Sequence, residues 1–152
     1  MNEKYDDERD FRVKPSEDGK SAVITKYTGK KQTVIIPPHL HGLPVTRIEE
    51  EVFKGKEIIR VTIPDSVTSI GVRAFADNFL ISVTISEGVT ADIGCAFDGC
   101  TSLTSITIPS SVTDIGYHAF NSCNNLKSVK VSRRTTIGNG AFRSETRIIY
   151  SD

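Results

Sequence analysis

The sequence predicts a mainly β chain wound as a right-handed parallel β solenoid, capped by an N-terminal β-hairpin and turned by short helical or 3-10 segments. The first reason is repetition. Residues 61–75 read VTIPDSVTSIGVRAF, residues 83–97 read VTISEGVTADIGCAF, and residues 106–120 read ITIPSSVTDIGYHAF. The second is a fixed period. The equivalent positions Val61, Val83, Ile106 and Val129 are set about 22, 23 and 23 residues apart, the spacing of stacked coils that share one core. The third is alternation, because Ile106 and Ile108 are apolar while Ser105 and Thr107 are polar, which is how a half-buried strand is written. Right-handedness follows from the near-universal rule for parallel crossovers.

At the amino end, residues 10–14 and 21–27 alternate apolar and polar around the turn PSEDG, so residues 10–32 are expected to form a hairpin that caps the open end of the solenoid. Val34 to Pro37 then aligns with Val61 to Pro64, and Val45 to Ile48 with Val67 to Ile70. The insert HLHGLP at residues 39–44 makes this first coil about 27 residues long, and it reads as a loop. In each later coil Leu80, Leu103 or Leu126 precedes a short strand with an L-x-x-L-x-L spacing, and Pro64 or Pro109 ends it, pointing outward. A second extended piece follows, Val67 to Ile70 or Val112 to Ile115. It stops at Gly71 or Gly116, where a positive φ or a close approach between coils is expected. The Ala-Phe pairs then sit on a single turn that drops phenylalanine inward, so Phe53, Phe75, Phe97, Phe120 and Phe142 should stack as a column. One copy is irregular: between Val89 and Ile93 it has a residue too many and before Ala96 one too few, which predicts a local bulge. The whole is one domain, residues 1–152, with repeats of about 22–27 residues over 33–150.

Nineteen basic and nineteen acidic side chains balance, which argues against nucleic acid or an anionic membrane as partner. Residues 1–10 nevertheless hold five acids against two bases, and from Cys123 onward six bases face two acids. No apolar run approaches the ~18 residues of a membrane span, so no membrane insertion is expected. A native start at Met1 implies a cytoplasmic protein; a leader ahead of it implies an extracellular or cell-surface one. Three cysteines do not make a disulfide framework. Cys100 and Cys123 lie one repeat apart, ~5 Å in a stacked array, so they are either buried thiols or a disulfide.

The hairpin, the long first coil and the unit V/I-T-I-P-x-S-V-T-x-I-G-x-x-A-F-x-x-C-x-x-L resemble the BspA-like, or treponemal-type, leucine-rich repeats. The resemblance runs from Phe11 to Tyr150, with Cys100 and Cys123 at the cysteine position and Asn78 or Phe79 and Glu145 departing from it. It implies a sheet along the concave side and bacterial proteins that often act at the cell surface, some as adhesins. It implies no chemistry.

Nothing in the chain spells a nucleophile with its base, a metal cluster or a phosphate loop, so no enzyme and no cofactor are expected. His39 and His41 lack a third ligand, His118 occupies an exposed variable place, and Glu49 to Glu51 form a solvated turn. The candidate binding residues are the outward strand positions Arg60, Thr62, Ser82, Thr84, Ser105, Thr107, Ser128 and Lys130, a ladder of hydroxyls with a cation at each end. A rigid polar face of this kind suits a protein or glycan partner, and it lacks the aromatic anchors of tight interfaces. The alternative is an intracellular scaffold or self-assembling unit, since the thinly covered strand Arg147 to Tyr150 predicts end-to-end self-association.

Overall fold

The computed structural model describes residues 5–90 and 93–151. A 3-10 turn, Glu8–Asp10, leads into the hairpin β1 (Phe11–Pro15) and β2 (Ala22–Tyr27), whose strands pair antiparallel. The first coil holds β3 (Thr33–Ile35), β4 (His39–Leu40) and β5 (Leu43–Ile48). Later coils contribute β6 (Arg60–Thr62), β7 (Ser69–Ile70), β8 (Ser82–Thr84), β9 (Ser105–Thr107), β10 (Asp114–Ile115), β11 (Ser128–Val131), β12 (Thr136–Ile137) and β13 (Arg147–Tyr150). Equivalent residues pair parallel between coils, Val34 beside Val61 and Val61 beside Val83, Ile106 beside Val129 and Val129 beside Ile148. That register is the mark of a solenoid.

The hairpin docks through β2, which runs parallel to β5, and β5 in turn pairs with β7. Phe11, Ile24 and Tyr27 are thereby buried over the first coil. The insert expected as a loop is instead a small hairpin, because β4 pairs antiparallel with β5 around His41 and Gly42, both at positive φ. The outer edge of β3 is covered by the preceding segment. There the Asp6 backbone N–H donates to the Ile35 carbonyl at 2.9 Å, and the Ile35 N–H donates to Asp6 Oδ1 at 3.3 Å.

The aromatic column forms as the spacing predicts. Rings of Phe53, Phe75, Phe97, Phe120 and Phe142 lie 5.0, 5.5, 5.3 and 5.1 Å apart and within 8° of parallel, the offset-stacked range. Tyr27 and Phe11 continue it into the cap, Tyr27 at 5.0 Å from Phe53, an extension that the repeat pattern did not announce. Main-chain bonds lock this side: the N–H groups of Phe53, Phe75, Phe97 and Phe120 donate to the carbonyls of Ala74, Ala96, Ala119 and Ala141 at 2.8–3.0 Å.

Glycine at 71 is required by crowding, not by φ. A Cβ there would stand 2.6 Å from the Glu50 nitrogen and 2.7 Å from the Glu49 carbonyl carbon. Positive φ falls two residues before each phenylalanine, at Glu51, Arg73, Cys95, His118 and Gly140. Each non-glycine member costs about 1–2 kcal/mol, which the inter-coil bonds offset. His118 is accordingly half-buried rather than exposed, stacked on Tyr117 at 3.7 Å. Pro109 is also buried rather than outward, because the strand ends at Thr107 and the chain turns inward through Ile108.

Cys100 and Cys123 are free, buried thiols. Their Sγ atoms donate to the carbonyls of Phe75 and Phe97 at 3.3 Å. In the second copy Asn78 does this work, its Nδ2 donating to the Phe53 and Phe75 carbonyls and its Oδ1 accepting from Lys56 and Ile58. That explains why the cysteine position tolerates this departure. Burial raises both thiol pKa values, that of Cys123 to about 12.

Phe97→Ala should cost about 3–5 kcal/mol in chemical denaturation, and Phe142→Ala, whose ring is half-buried, clearly less. A folded thiol pKa above the unfolded one means that the native chain keeps protons the unfolded chain loses as pH rises past the ordinary thiol value of ~8.5. Stability should therefore fall progressively from about pH 9 toward 12. Cys123→Ala should flatten that slope in denaturation curves, while native alkylation labels half-buried Cys95 first.

Candidate functional site

The eight outward strand positions read from the sequence fall on four strands: Arg60 and Thr62 on β6, Ser82 and Thr84 on β8, Ser105 and Thr107 on β9, Ser128 and Lys130 on β11. Seven are exposed and Ser128 is half-buried. Alternation places Val61, Ile106 and Val129 beneath them at 2%, 5% and 0% exposure.

The strand face is not one sheet. It is two three-stranded sheets, β3–β6–β8 and β9–β11–β13, and no ladder bond joins β8 to β9 among the described residues. Successive residues of a strand turn their N–H and C=O to opposite neighbours, so the observed bonds fix which groups face the gap. The Ile63 N–H donates to the Thr84 carbonyl, so Thr84 faces β6 and Val83 faces β9. The Ile108 N–H donates to the Lys130 carbonyl, so Ile106 and Ile108 face β11 and Thr107 faces β8. The main-chain groups of Val83 and Thr107 therefore meet across an unzipped seam, although Cα atoms of the two strands approach within 8 Å. An inserted strand would need ~9.5 Å between its neighbours, so the seam is too narrow for one.

Over the seam lies a depression of about 600 Å³, lined by Ser82, Thr84, Ser105, Thr107, Ser128 and Lys130. Sequence reasoning missed its rim, Ile81, Glu87 and Ile149, and the half-exposure of Val83, whose equivalents Val61, Ile106 and Val129 are buried. The irregular spacing after Val89 was the available signal. Its extra residue falls at 91–92, outside the described residues. Arg60 and Thr62 lie beyond the lining, and Thr62 borders a separate hollow with Tyr5, Ile35, Pro38 and Pro64.

The opposite, aromatic side carries an ionic ladder. Arg73 reaches Asp98 at 2.7 Å, Asp77 at 3.3 Å and Glu51 at 3.6 Å, and Asn121 Nδ2 donates to Asp98 at 3.2 Å, so side chains from four coils are tied together. Lys54, the main cause, holds the exposed Glu51 carboxyl below its ordinary pKa. His39 and His41 sit on the small hairpin, with the His41 N–H donating to Glu8 at 2.7 Å. Among the described residues no group of three His, Cys, Asp or Glu side chains could hold a metal ion, and no helix is long and apolar enough to cross a membrane.

The sequence profile of the BspA type leucine rich repeat region matches residues 32–150 in six copies. The chain belongs to the BspA-type leucine-rich repeat family. Its fold is similar to that of a leucine-rich repeat protein of Treponema pallidum, with a TM-score of 0.88 and 32% identity over 93% of this chain and 68% of that one. A leucine-rich cell-surface protein of Faecalibacterium prausnitzii matches with a TM-score of 0.79 and 31% identity, over 92% of this chain but only 38% of its own. A leucine-rich repeat protein of Bacteroides capillosus matches with a TM-score of 0.60 and 26% identity over 91% and 94% of the two chains. No curated protein matches the chain. These neighbours are leucine-rich proteins from bacteria, and the six copies place both the ionic ladder and the seam within the repeat region.

The seam has a direct readout. In hydrogen exchange the amides of Val83 and Thr107 should exchange at least tenfold faster than those of Thr84 and Ile106, their ladder-bonded sequence neighbours. Equal protection on both sides would mean a continuous sheet.

Proposed function

We infer that the chain is a non-enzymatic binding module that recognises a protein or glycan partner on its strand face. The observation that carries this reading is the depression over β8 and β9, a pre-ordered polar surface built from Ser82, Thr84, Ser105 and Thr107 on strands whose reverse sides are packed into the core. Rigid presentation of hydroxyls lowers the ordering cost of binding. The cell-surface description of the Faecalibacterium neighbour favours recognition at a bacterial surface. A second reading, assembly, rests on β13, where Ile148, Ile149 and Tyr150 are exposed along an outer edge with no strand partner among the described residues.

Arrays of host matrix proteins and glycans probed with the wild-type chain should give hits that Thr84→Tyr/Thr107→Tyr abolishes and that Thr68→Tyr, exposed away from the depression, leaves intact. Hits indifferent to the first pair would remove the strand-face reading. For assembly, sedimentation equilibrium should show a mass that rises with concentration and returns to the monomer in Ile149→Lys; a constant monomer mass for the wild type removes that reading.

A further inference from the structure

We propose that the partner meets this face with an acidic, extended polypeptide segment that lies along the solenoid axis and crosses the seam between β8 and β9. The proposal deepens the strand-face reading and rests on it. Its first support is charge. The strands of the face carry Arg60, Lys130 and Arg147 and no acid, and Glu87, at the rim, is the one carboxylate among the residues lining the depression. The strand residues of this face are thus net positive, with Asp65 and Glu87 following the ends of β6 and β8.

The second support is spacing. Arg60 on β6 and Lys130 on β11 are separated by three inter-strand steps and by two residues along the strand, so at ~4.8 Å and ~3.3 Å each they stand at least ~16 Å apart. An extended peptide rises ~3.3 Å per residue and returns to the same face every second residue, so carboxylates four residues apart, ~13 Å, reach both cations from one side. The side chains between them fall on the hydroxyls of Ser82, Thr84, Ser105 and Thr107. Hydroxyls donate as well as accept, so they suit the carbonyls and carboxylates of such a segment.

The third support is the seam itself. It is too narrow for a strand, but it leaves the main-chain N–H and C=O groups of Val83 and Thr107 without ladder partners among the described residues. An extended main chain crossing the seam brings both donors and acceptors to groups of that mixed kind, as a polypeptide segment does. A neutral partner would leave Arg60 and Lys130 unanswered.

The test uses a 12-residue peptide of serine and threonine with aspartate at every fourth position, read by titration calorimetry at 50 and 200 mM salt. Counterparts with asparagine or lysine replacing the aspartates are run beside it. The aspartate peptide should bind at least tenfold tighter than the asparagine one and weaken with salt. The double variant Arg60→Glu/Lys130→Glu, exposed positions that leave the core untouched, should lose that binding and bind the lysine peptide instead. Chemical denaturation confirms that the variant folds. Equal binding of the aspartate and asparagine peptides, or retention of aspartate-peptide binding by the double variant, overturns the proposal. So does binding of a sulfated heparin oligosaccharide lost in the double variant when the aspartate peptide never binds, which assigns the cations to a glycan. Array hits lost in Thr84→Tyr/Thr107→Tyr but kept in Arg60→Glu/Lys130→Glu sink the acidic-segment proposal and leave the strand-face reading standing.

Discussion

Five phenylalanine rings held parallel at 5.0–5.5 Å set the pitch of this molecule, and most of its other features follow from meeting that pitch. Parallel rings at this distance require successive turns of chain to superimpose with little rotation, and that brings the N–H groups of Phe53, Phe75, Phe97 and Phe120 onto the alanine carbonyl of the next coil. The chain must then turn sharply on both sides of the ring. It does so by placing residues such as Arg73, Cys95 and His118 at positive φ, a cost borne because the bonds it enables recur in every coil. Asn78, Cys100 and Cys123 complete the arrangement by donating to the phenylalanine carbonyls beneath them.

Continuity and interruption are thereby assigned to opposite sides. The aromatic side is continuous from Tyr27 to Phe142 and is reinforced by the Arg73 and Asp98 pair. The strand side is interrupted, since among the described residues β8 pairs with β6 but not with β9. A repeat array contacts only its neighbours, so a lapse on one side of one coil is tolerated when its other side stays bonded. Thr90 shows the same loosening, lying 3.3 Å from Thr68 and 3.4 Å from Thr113 across their main-chain bonds, against 2.8 Å between Thr113 and Thr136.

Much of this was legible in the text of the chain. Strand positions around Val61, Ile106 and Val129, the phenylalanine column and the hairpin all follow from period and alternation, because every copy votes for the same answer. What stayed hidden lies where copies disagree or where two segments meet. The extension of the column by Phe11 and Tyr27 depends on how the cap docks, and the small hairpin at His39 depends on which strand β4 finds. Of the two alternatives expected at Gly71 the close approach between coils holds, while the positive φ falls two residues on, at Arg73, and likewise at His118 in the fourth coil.

The sequence by itself determined the pitch, the inward and outward positions within the strands and the family, for each is a property of one repeat written several times. Tertiary structure alone decided that the strand face splits between Val83 and Thr107, and that the outward Ser82, Thr84, Ser105 and Thr107 therefore rim a depression beside Lys130. The reason is physical. Side-chain direction is fixed within a strand by the pleat, whereas a ladder bond exists only if two coils of unequal spacing bring their main chains into register.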